Sequence, residues 1–447
     1  MVQLNVESLM RHWLPLIALW ASAGTVARAD DAPGEIDAAV AALEPRVIDW
    51  RRDFHSHPEL GNREFRTSGI VAAHLKKLGL EVTTGIAHTG VVALLHGALP
   101  GPTIMLRADM DALPVTEHTD VPFRSTVMSE YRGHQVGVMH ACGHDAHTAI
   151  LMGAAEILAG MRERLPGTVM FVFQPAEEGV PVGEQGGAPL MMQEGLFEIA
   201  KPDAIFGLHV FSTLHTGTVG VRAGLFMAGS DFFRIVVTGK QSHGARPWAG
   251  IDPIVTAAQI VNSLQTVVSR QTDITALPAV VSIGSINGGV RHNIIPDSVE
   301  MLGTMRTFGP AARQDVINRV QRIVTNVAEA NGATATLEMM PAPNPVVDND
   351  PALTQKVVTS LQVALGSDAV KTLSMQTIAE DFSYYARQAP SVFFWVGITP
   401  PGQDLRTAPD NHSDRFYVDE NGIAVALRAT LHVAVDYLQS GAPGKGS

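Results

Sequence analysis

Strand-length apolar stretches alternate with amphipathic helical stretches along most of this chain, and that alternation limits its fold more than any other feature. Apolar side chains recur at helical spacing over 36–54 (Ile36, Val40, Leu43, Val47, Trp50), and 67–78 repeats the pattern. Strand-length runs follow at 90–95 and 103–107, then a helix at 146–161 and a strand at 168–173. A helix repeats its faces every 3.6 residues and a strand every 2. Strands alternating with helices imply a parallel or mixed sheet covered on both faces.

The pattern changes register near 217–229. Strands are expected at 232–239, 279–286, 299–307 and 333–340, with helices at 252–269 and 311–328. Two β-α-β passes in about 110 residues are the signature of a split, ferredoxin-like α+β unit. After Pro341-Ala342-Pro343-Asn344-Pro345 the chain returns to helix and strand at 350–365, 391–396 and 421–438. With 447 residues, two or three domains are expected. We therefore expect an α/β protein with one compact domain inserted in another: a main body over 36–220 and 341–440, and the insertion over 221–340.

The N-terminus reads as an export signal over 1–29, with translation from Met1 or Met10. Arg11 and His12 precede an apolar run at 13–23, and Ala27-Arg28-Ala29 supplies a small-x-small cleavage pattern. The run is too short to span a bilayer comfortably, so the expected location is periplasmic or secreted, with no stable membrane insertion. The net charge of -12 and the lack of any basic block exclude nucleic acid as a partner. Cys142 is the only cysteine, so an exported form has no internal disulfide framework. A lone thiol in an oxidising compartment is a liability unless it is buried or bound.

Chemistry-bearing residues cluster at expected strand ends and loops. Arg107-Ala108-Asp109-Met110-Asp111 follows one strand, and Gln174-Pro175-Ala176-Glu177-Glu178-Gly179 follows another. His140-Ala141-Cys142-Gly143-His144-Asp145-Ala146-His147 precedes a helix. Leu208-His209-Val210 ends a short strand, and Asn411-His412-Ser413 comes late. Strand ends of an open α/β sheet form its usual binding crevice, so these segments can meet in one place. Thiolate, imidazole and carboxylate together suit Zn, Mn, Co or Ni better than Ca or Mg. Glu177 and Glu178, neighbours on an extended segment, would point opposite ways, one to a metal and one to a water.

These segments, together with Arg51-Arg52-Asp53-Phe54-His55-Ser56-His57-Pro58-Glu59-Leu60-Gly61, resemble the M20 metallopeptidase family. Within it they resemble the amidohydrolase branch of hippurate and indole-acetyl-amino-acid hydrolases. The resemblance implies a mixed-sheet di-metal catalytic domain with a ferredoxin-like lid and dimerisation domain, and a homodimer formed through that lid. It implies two divalent ions, with Cys142 bridging them and His144, Glu178, His209 and His412 completing the shells. Glu177 would be the general base, and Asp111 would orient a ligand. Asp109 falls where peptidase branches have a histidine ligand, while His140 and His147 read as packing or outer-layer residues. His243 in Ser242-His243-Gly244-Ala245-Arg246-Pro247 would polarise the scissile carbonyl across the dimer. Asn293 and Arg306 would grip the substrate carboxylate.

Two positions depart from the family pattern: Ala379 where glycine is common, and Asp414 where proline is usual. The implied reaction is hydrolysis of N-acyl amino acids to a carboxylic acid and a free amino acid. A dipeptidase or carboxypeptidase is the nearest alternative, and a non-catalytic periplasmic binding protein a remoter one. A substrate with a free α-amine would need an acidic partner, and none is evident in the sequence.

Overall fold

The computed structural model describes residues 32–341 and 343–441, and the expected export signal over 1–29 lies outside them. An eight-stranded mixed sheet forms the main body. In spatial order its strands are Glu81–Ile86, Gly90–His96, Pro166–Gln174, Leu99–Asp109, Ala204–His215, Ser391–Thr399, Val219–Val221 and Val370–Thr372. The four central strands, Pro166–Gln174 through Ser391–Thr399, run parallel. Ser391–Thr399 comes from beyond the insertion yet lies inside the sheet, so the sheet closes only when both halves of the chain are present.

The sheet forms here because its strands are apolar on both faces. Val91, Ala93 and Leu95 enter the core shared with the helices Ala32–Ser56, His144–Gly160 and Asn421–Ser440. Val92 and Leu94 enter the opposite core, beside Met170, Val172 and Phe393. Strand geometry sends alternate side chains to opposite faces, and a sheet covered on both sides needs both sets apolar. Val91, Leu95, Ile104 and Val169 are fully buried, each worth about 1.5–3 kcal/mol relative to exposure.

The inserted unit has its own sheet, in the order Val280–Asn287, Ser298–Thr307, Gly229–Thr238, Thr334–Met339, all antiparallel. Helices Pro253–Gln271 and Pro310–Ala330 cover one face. Phe233, Ile235 and Val237 alternate inward against Ile260, Leu264, Val320 and Val324. Asp252 caps the first helix by accepting from the amides of Ile254 and Val255, with Pro253 at its first position. This is the ferredoxin-like arrangement expected from the sequence. Strand Val347–Asn349 pairs with Gly224–Met227 where the chain re-enters the main body.

Several elements differ from expectation. The edge strand Glu81–Ile86 and the hairpin Met128–Tyr131/His134–Gly137 were not anticipated, because their exposed polar positions carry little apolar period. Strand Ala204–His215 runs on past Val210, held in register by Ser391–Thr399, so His209 sits within it and not at its end. Among the described residues, no helix is long and apolar enough to cross a membrane.

Candidate metal centre

The parallel strands deliver the chemistry at their carboxyl ends. Leu99–Asp109 ends at Asp109, with Asp111 just beyond, and Pro166–Gln174 leads into Glu177 and Glu178. In Ala204–His215, Leu208 and Val210 enter the helix-side core, which turns His209 and Phe211 to the other face. Cys142 and His144 flank Gly143, whose φ of 98° is left-handed; a Cβ there would meet Val210 Cγ2 at 2.3 Å. Only glycine fits such a position without strain. The His412 loop is pinned by Asn411, whose Nδ2 donates to the carbonyls of Cys142 (3.2 Å) and Val210 (3.1 Å).

Five expected ligands and the expected base meet in this place. The donor atoms of Cys142, His144 and His209 lie within 4.8 Å of one another, as do those of Cys142, Glu178 and His412, and of His144, Glu177 and Glu178. Cys142 Sγ is 3.3 Å from His209 Nε2, and His412 Nε2 is 3.0 Å from Glu178 Oε1. His209 Nδ1 donates to the Val210 carbonyl at 2.8 Å, and His144 Nδ1 donates to Asp111 Oδ1 at 3.2 Å. Each bond occupies Nδ1 and leaves Nε2 as the atom that faces the other donors, which is how a histidine is oriented for a metal. His144 Nε2 is buried and has no hydrogen-bond partner among the described residues. A thiolate, imidazoles and a carboxylate fit a divalent transition metal. His147 is different: the Val210 amide donates to its Nε2 at 2.8 Å, so its Nδ1 donates to Asp109 at 2.5 Å and neither nitrogen is free.

The charges around this cluster call for a cation. Burial pushes the Cys142 thiol well up, and Glu178 and Glu177 push it further. Burial and the neighbouring carboxylates of Glu380, Glu178 and Asp381 push Glu177 well up. Burial pulls His144 down, but Asp109 and Asp111 outweigh it and raise the ring to about 10. Burial, reinforced by His147, keeps His209 neutral. Burial also raises Glu178, but His412 and His144 overcome it and hold the carboxylate down. A divalent ion among these donors inverts the balance for the thiol and stabilises its thiolate.

Glu177 and Glu178 are separated differently from the extended geometry expected. The backbone bends at both residues, and Ala176 before them is left-handed, with φ 52°. Glu178 turns to His412 and Cys142, while Glu177 also reaches Glu380 and Asp381. That acidic pair, together with Arg107, is the part of the site that sequence reasoning missed. Arg107 is fully buried and donates to Asp109 (2.6 Å), Glu380 (3.0 Å), Asp381 (2.9 Å) and Gln174 (3.0 Å). Burial raises Asp381 to about 7 even with the guanidinium beside it. Asp414, the residue in place of proline, pairs with His118 Nδ1 at 2.8 Å on the surface.

The cluster opens into a cleft of about 700 Å³, a size that suits a small organic ligand. Phe211, Met227, Phe232 and Ile378 line it, and Arg306 reaches it from the inserted domain. His243 and Asn293 do not line it: His243 lies on Ser242–His243 and Asn293 just before the paired segment Ile294–Ile295, and the Gly244 amide donates to the Asn293 carbonyl. The structure thus lines one cleft with Cys142, Glu177, Glu178, His209, His412 and Arg306, sets His144 among the donors and Asp111 behind it, and leaves His243 and Asn293 apart from the cleft within the chain.

Residues 105–434 match the family model described as peptidase family M20/M25/M40. The chain belongs to this family. Thermostable carboxypeptidase 1 of Saccharolobus solfataricus is 37% identical over 402 residues, covering 89% of this chain and 97% of that protein. The N-acetylcysteine deacetylase of Bacillus subtilis is 38% identical over 408 residues, covering 89% and 98%. The crystal structure of a Bacillus subtilis protein described as a dinuclear metal-binding peptidase of the M20 family superposes with a TM-score of 0.72 at 36% identity, covering 89% and 99%. This M20 member is a metal-dependent hydrolase of amide bonds, with a mixed α/β fold shared with that structure.

Proposed function

We propose that this M20 hydrolase cleaves N-acyl amino acids, using two divalent transition-metal ions held by Cys142, His144, Glu178, His209 and His412. The observation that carries the reading is the shared cleft: the donor cluster and Glu177 on one side, the guanidinium of Arg306 on the other, with apolar side chains between them. The guanidinium of Arg306 makes no hydrogen bond or ion pair among the described residues, and burial lowers its pKa, so an anionic partner is favoured there. The α-carboxylate of an amino acid is such a partner. Apolar walls suit an acyl group. The carboxylates of Glu380 and Asp381, which would otherwise attract a substrate's α-amine, are already shared with Arg107, and this favours an acylated nitrogen over a free one.

Bound divalent ions supply Lewis acidity and lower the pKa of the water they hold to about 7. Glu177 takes a proton from the attacking water and passes it to the departing nitrogen, a role that its raised affinity for protons suits. Asp111 holds His144 through Nδ1 and the Glu178 amide at 2.9 Å, keeping two ligand positions fixed relative to each other. In a homodimer formed through the inserted domain, the exposed His243 of one copy serves the cleft of the other and stabilises the developing oxyanion, with Asn293 beside it on the substrate. The protein acts after export, released from the segment over 1–29.

A panel of N-acetyl- and N-benzoyl-amino acids set beside dipeptides and C-terminally blocked peptides tests the substrate assignment. Amine release from the acyl panel, with little from the dipeptides, is expected. Release from unblocked peptides alone would replace this reading with a carboxypeptidase or dipeptidase one, which the likeness to the thermostable carboxypeptidase keeps as the second candidate.

A further inference from the structure

The segment that follows the first helix, Leu60 to Glu64, touches none of the metal donors, yet every residue from Gly61 onward grips the loop that carries Glu177 and Glu178. Gly61 packs so closely on that loop that a Cβ would meet the Gly179 carbonyl oxygen at 2.3 Å and Ala176 Cα at 3.1 Å. Asn62 Nδ2 donates to the Gln185 carbonyl (2.9 Å) and to Glu184 (3.0 Å), and Arg63 pairs with the same Glu184. Glu64 is buried: its Oε1 accepts from the Ala176 amide at 2.9 Å and its Oε2 from the Thr89 hydroxyl at 2.5 Å.

Two peptide N–H groups flank Glu177, those of Ala176 and Glu178. Each donates to an oxygen of a buried carboxyl group, Ala176 to Glu64 and Glu178 to Asp111. Ala176 needs that hold, since its φ of 52° is a conformation that residues bearing a Cβ rarely adopt. A strained turn persists only when its surroundings over-determine it. Removing one of the two anchors lets the peptide before Glu177 relax and carries the side chain away from the water it serves. A misplacement on that scale, from a residue remote from the chemistry, lowers the rate with little effect on substrate affinity.

We infer that Glu64 is a positioning residue for the general base, acting through the Ala176 amide and anchored in turn by Thr89. The inference rests on the reading of Glu177 as base. It gives the segment after the Arg51–Gly61 motif a task in turnover as well as in folding.

The test compares Glu64→Ala and Glu64→Gln, alone and combined with Glu177→Gln, measuring kcat, KM, bound metal per chain and thermal midpoint. Gln keeps Oε1 as acceptor for the Ala176 amide and can donate to Thr89, whereas Ala leaves that amide unpartnered. In Glu64→Ala, kcat is expected to fall about 10- to 100-fold with metal content unchanged and KM within about threefold, and Gln to restore kcat to within about fivefold. In the Glu177→Gln background the Glu64→Ala loss should vanish, because groups that act as a unit are not additive. A folded, metal-replete Glu64→Ala enzyme with wild-type kcat overturns the inference, as does an equal loss in both backgrounds. If Glu177→Gln alone turns over like wild type, it is the base assignment that fails. Should Glu64→Ala not fold, Thr89→Val removes only the outer anchor: a smaller kcat loss with metal retained supports the inference, and wild-type kcat overturns it.

Discussion

Replacing Arg107 with methionine removes a buried guanidinium that donates to Asp109, Glu380, Asp381 and Gln174 at 2.6–3.0 Å. Methionine fills a similar volume but donates nothing, so three carboxylates and an amide oxygen each lose a donor, and keep only His147, the Phe382 amide, Gln174 with the Ala188 amide, and the Tyr385 hydroxyl respectively, in a region where Arg107, Asp109 and Glu380 are 0–3% exposed. A buried ion pair is weak ground for stability as a whole, yet removing one partner costs about 3–5 kcal/mol because the other charge stays behind. We expect a loss in that range and not a multiple of it, since the stranded carboxylates can take up protons. Burial already brings Asp381 to about 7 with Arg107 in place. The sign of the pH dependence follows. In the variant these carboxyls have native-state pKa values raised above their unfolded ones, so their penalty is absent below about pH 4 and grows as pH rises through the native values. Urea unfolding of wild type, Arg107→Met and Arg107→Lys at several pH values reads this directly. The wild-type advantage over Met should be largest above neutrality and shrink toward pH 5, with Lys intermediate because it keeps the charge but loses the planar fork. A gap below about 1 kcal/mol at neutral pH, or one that widens in acid, would refute the reasoning.

Other consequences can be checked separately. His55 lies between Asp145 (2.9 Å) and Glu117 (3.1 Å); burial and Arg51 lower it, but its hydrogen bonds to the two carboxylates prevail and raise it. A raised histidine stabilises fully below its unfolded pKa of about 6.5 and ceases to as pH rises through the native value, so the melting advantage of wild type over His55→Asn should shrink as pH rises above about 6.5. A gap independent of pH across that range removes this assignment. Arg306→Ala should lower kcat/KM about 10- to 150-fold for N-acyl amino acids, the worth of a charge-assisted bond of about 1.5–3 kcal/mol, and change little for the matching N-acyl amines, which lack the carboxylate. Equal losses on both substrate sets would contradict a carboxylate grip. Gly143→Ala places a Cβ 2.3 Å from Val210 Cγ2 at φ 98°, and should cost about 1–3 kcal/mol and weaken metal retention on dialysis; unchanged stability would show that the turn can relax.

The fold was legible where periodicity is strong. Strands buried on both faces, such as Gly90–His96 and Pro166–Gln174, and amphipathic helices such as Pro310–Ala330 announce themselves by their apolar spacing. The hairpin at Met128–Gly137 is polar and short, and its pairing is decided by neighbours that no local pattern encodes. The metal donors were legible because cysteine, histidine and glutamate in tight motifs are unusual residues with few other uses. Arg107, Glu380, Asp381 and Glu64 were not. Each is an ordinary charged residue whose meaning comes from burial and from partners as far as 25 (Glu64 and Thr89) to 274 (Arg107 and Asp381) positions away. The absence of any evident acidic partner for an α-amine was a limit of the same kind: Glu380 and Asp381 do reach the cleft, but whether they are free depends on a guanidinium supplied by another strand. The opposed directions of Glu177 and Glu178 were expected from strand alternation, whereas the structure achieves the separation by a bend after a left-handed alanine.

The central claim is that Glu177 moves the proton in a reaction that needs metal held by the Cys142 cluster. Amine release from N-acyl amino acids by chelator-stripped protein, before and after resupply of Mn, Zn, Co or Ni, tests it in wild type and Glu177→Gln side by side. The expected result is negligible release when stripped and full release when resupplied. Glu177→Gln should bind the same metal yet run slower by about 10²- to 10⁴-fold, the range for loss of a general base. Turnover by the stripped enzyme, or a Glu177→Gln variant that matches wild type once metal is restored, would contradict it.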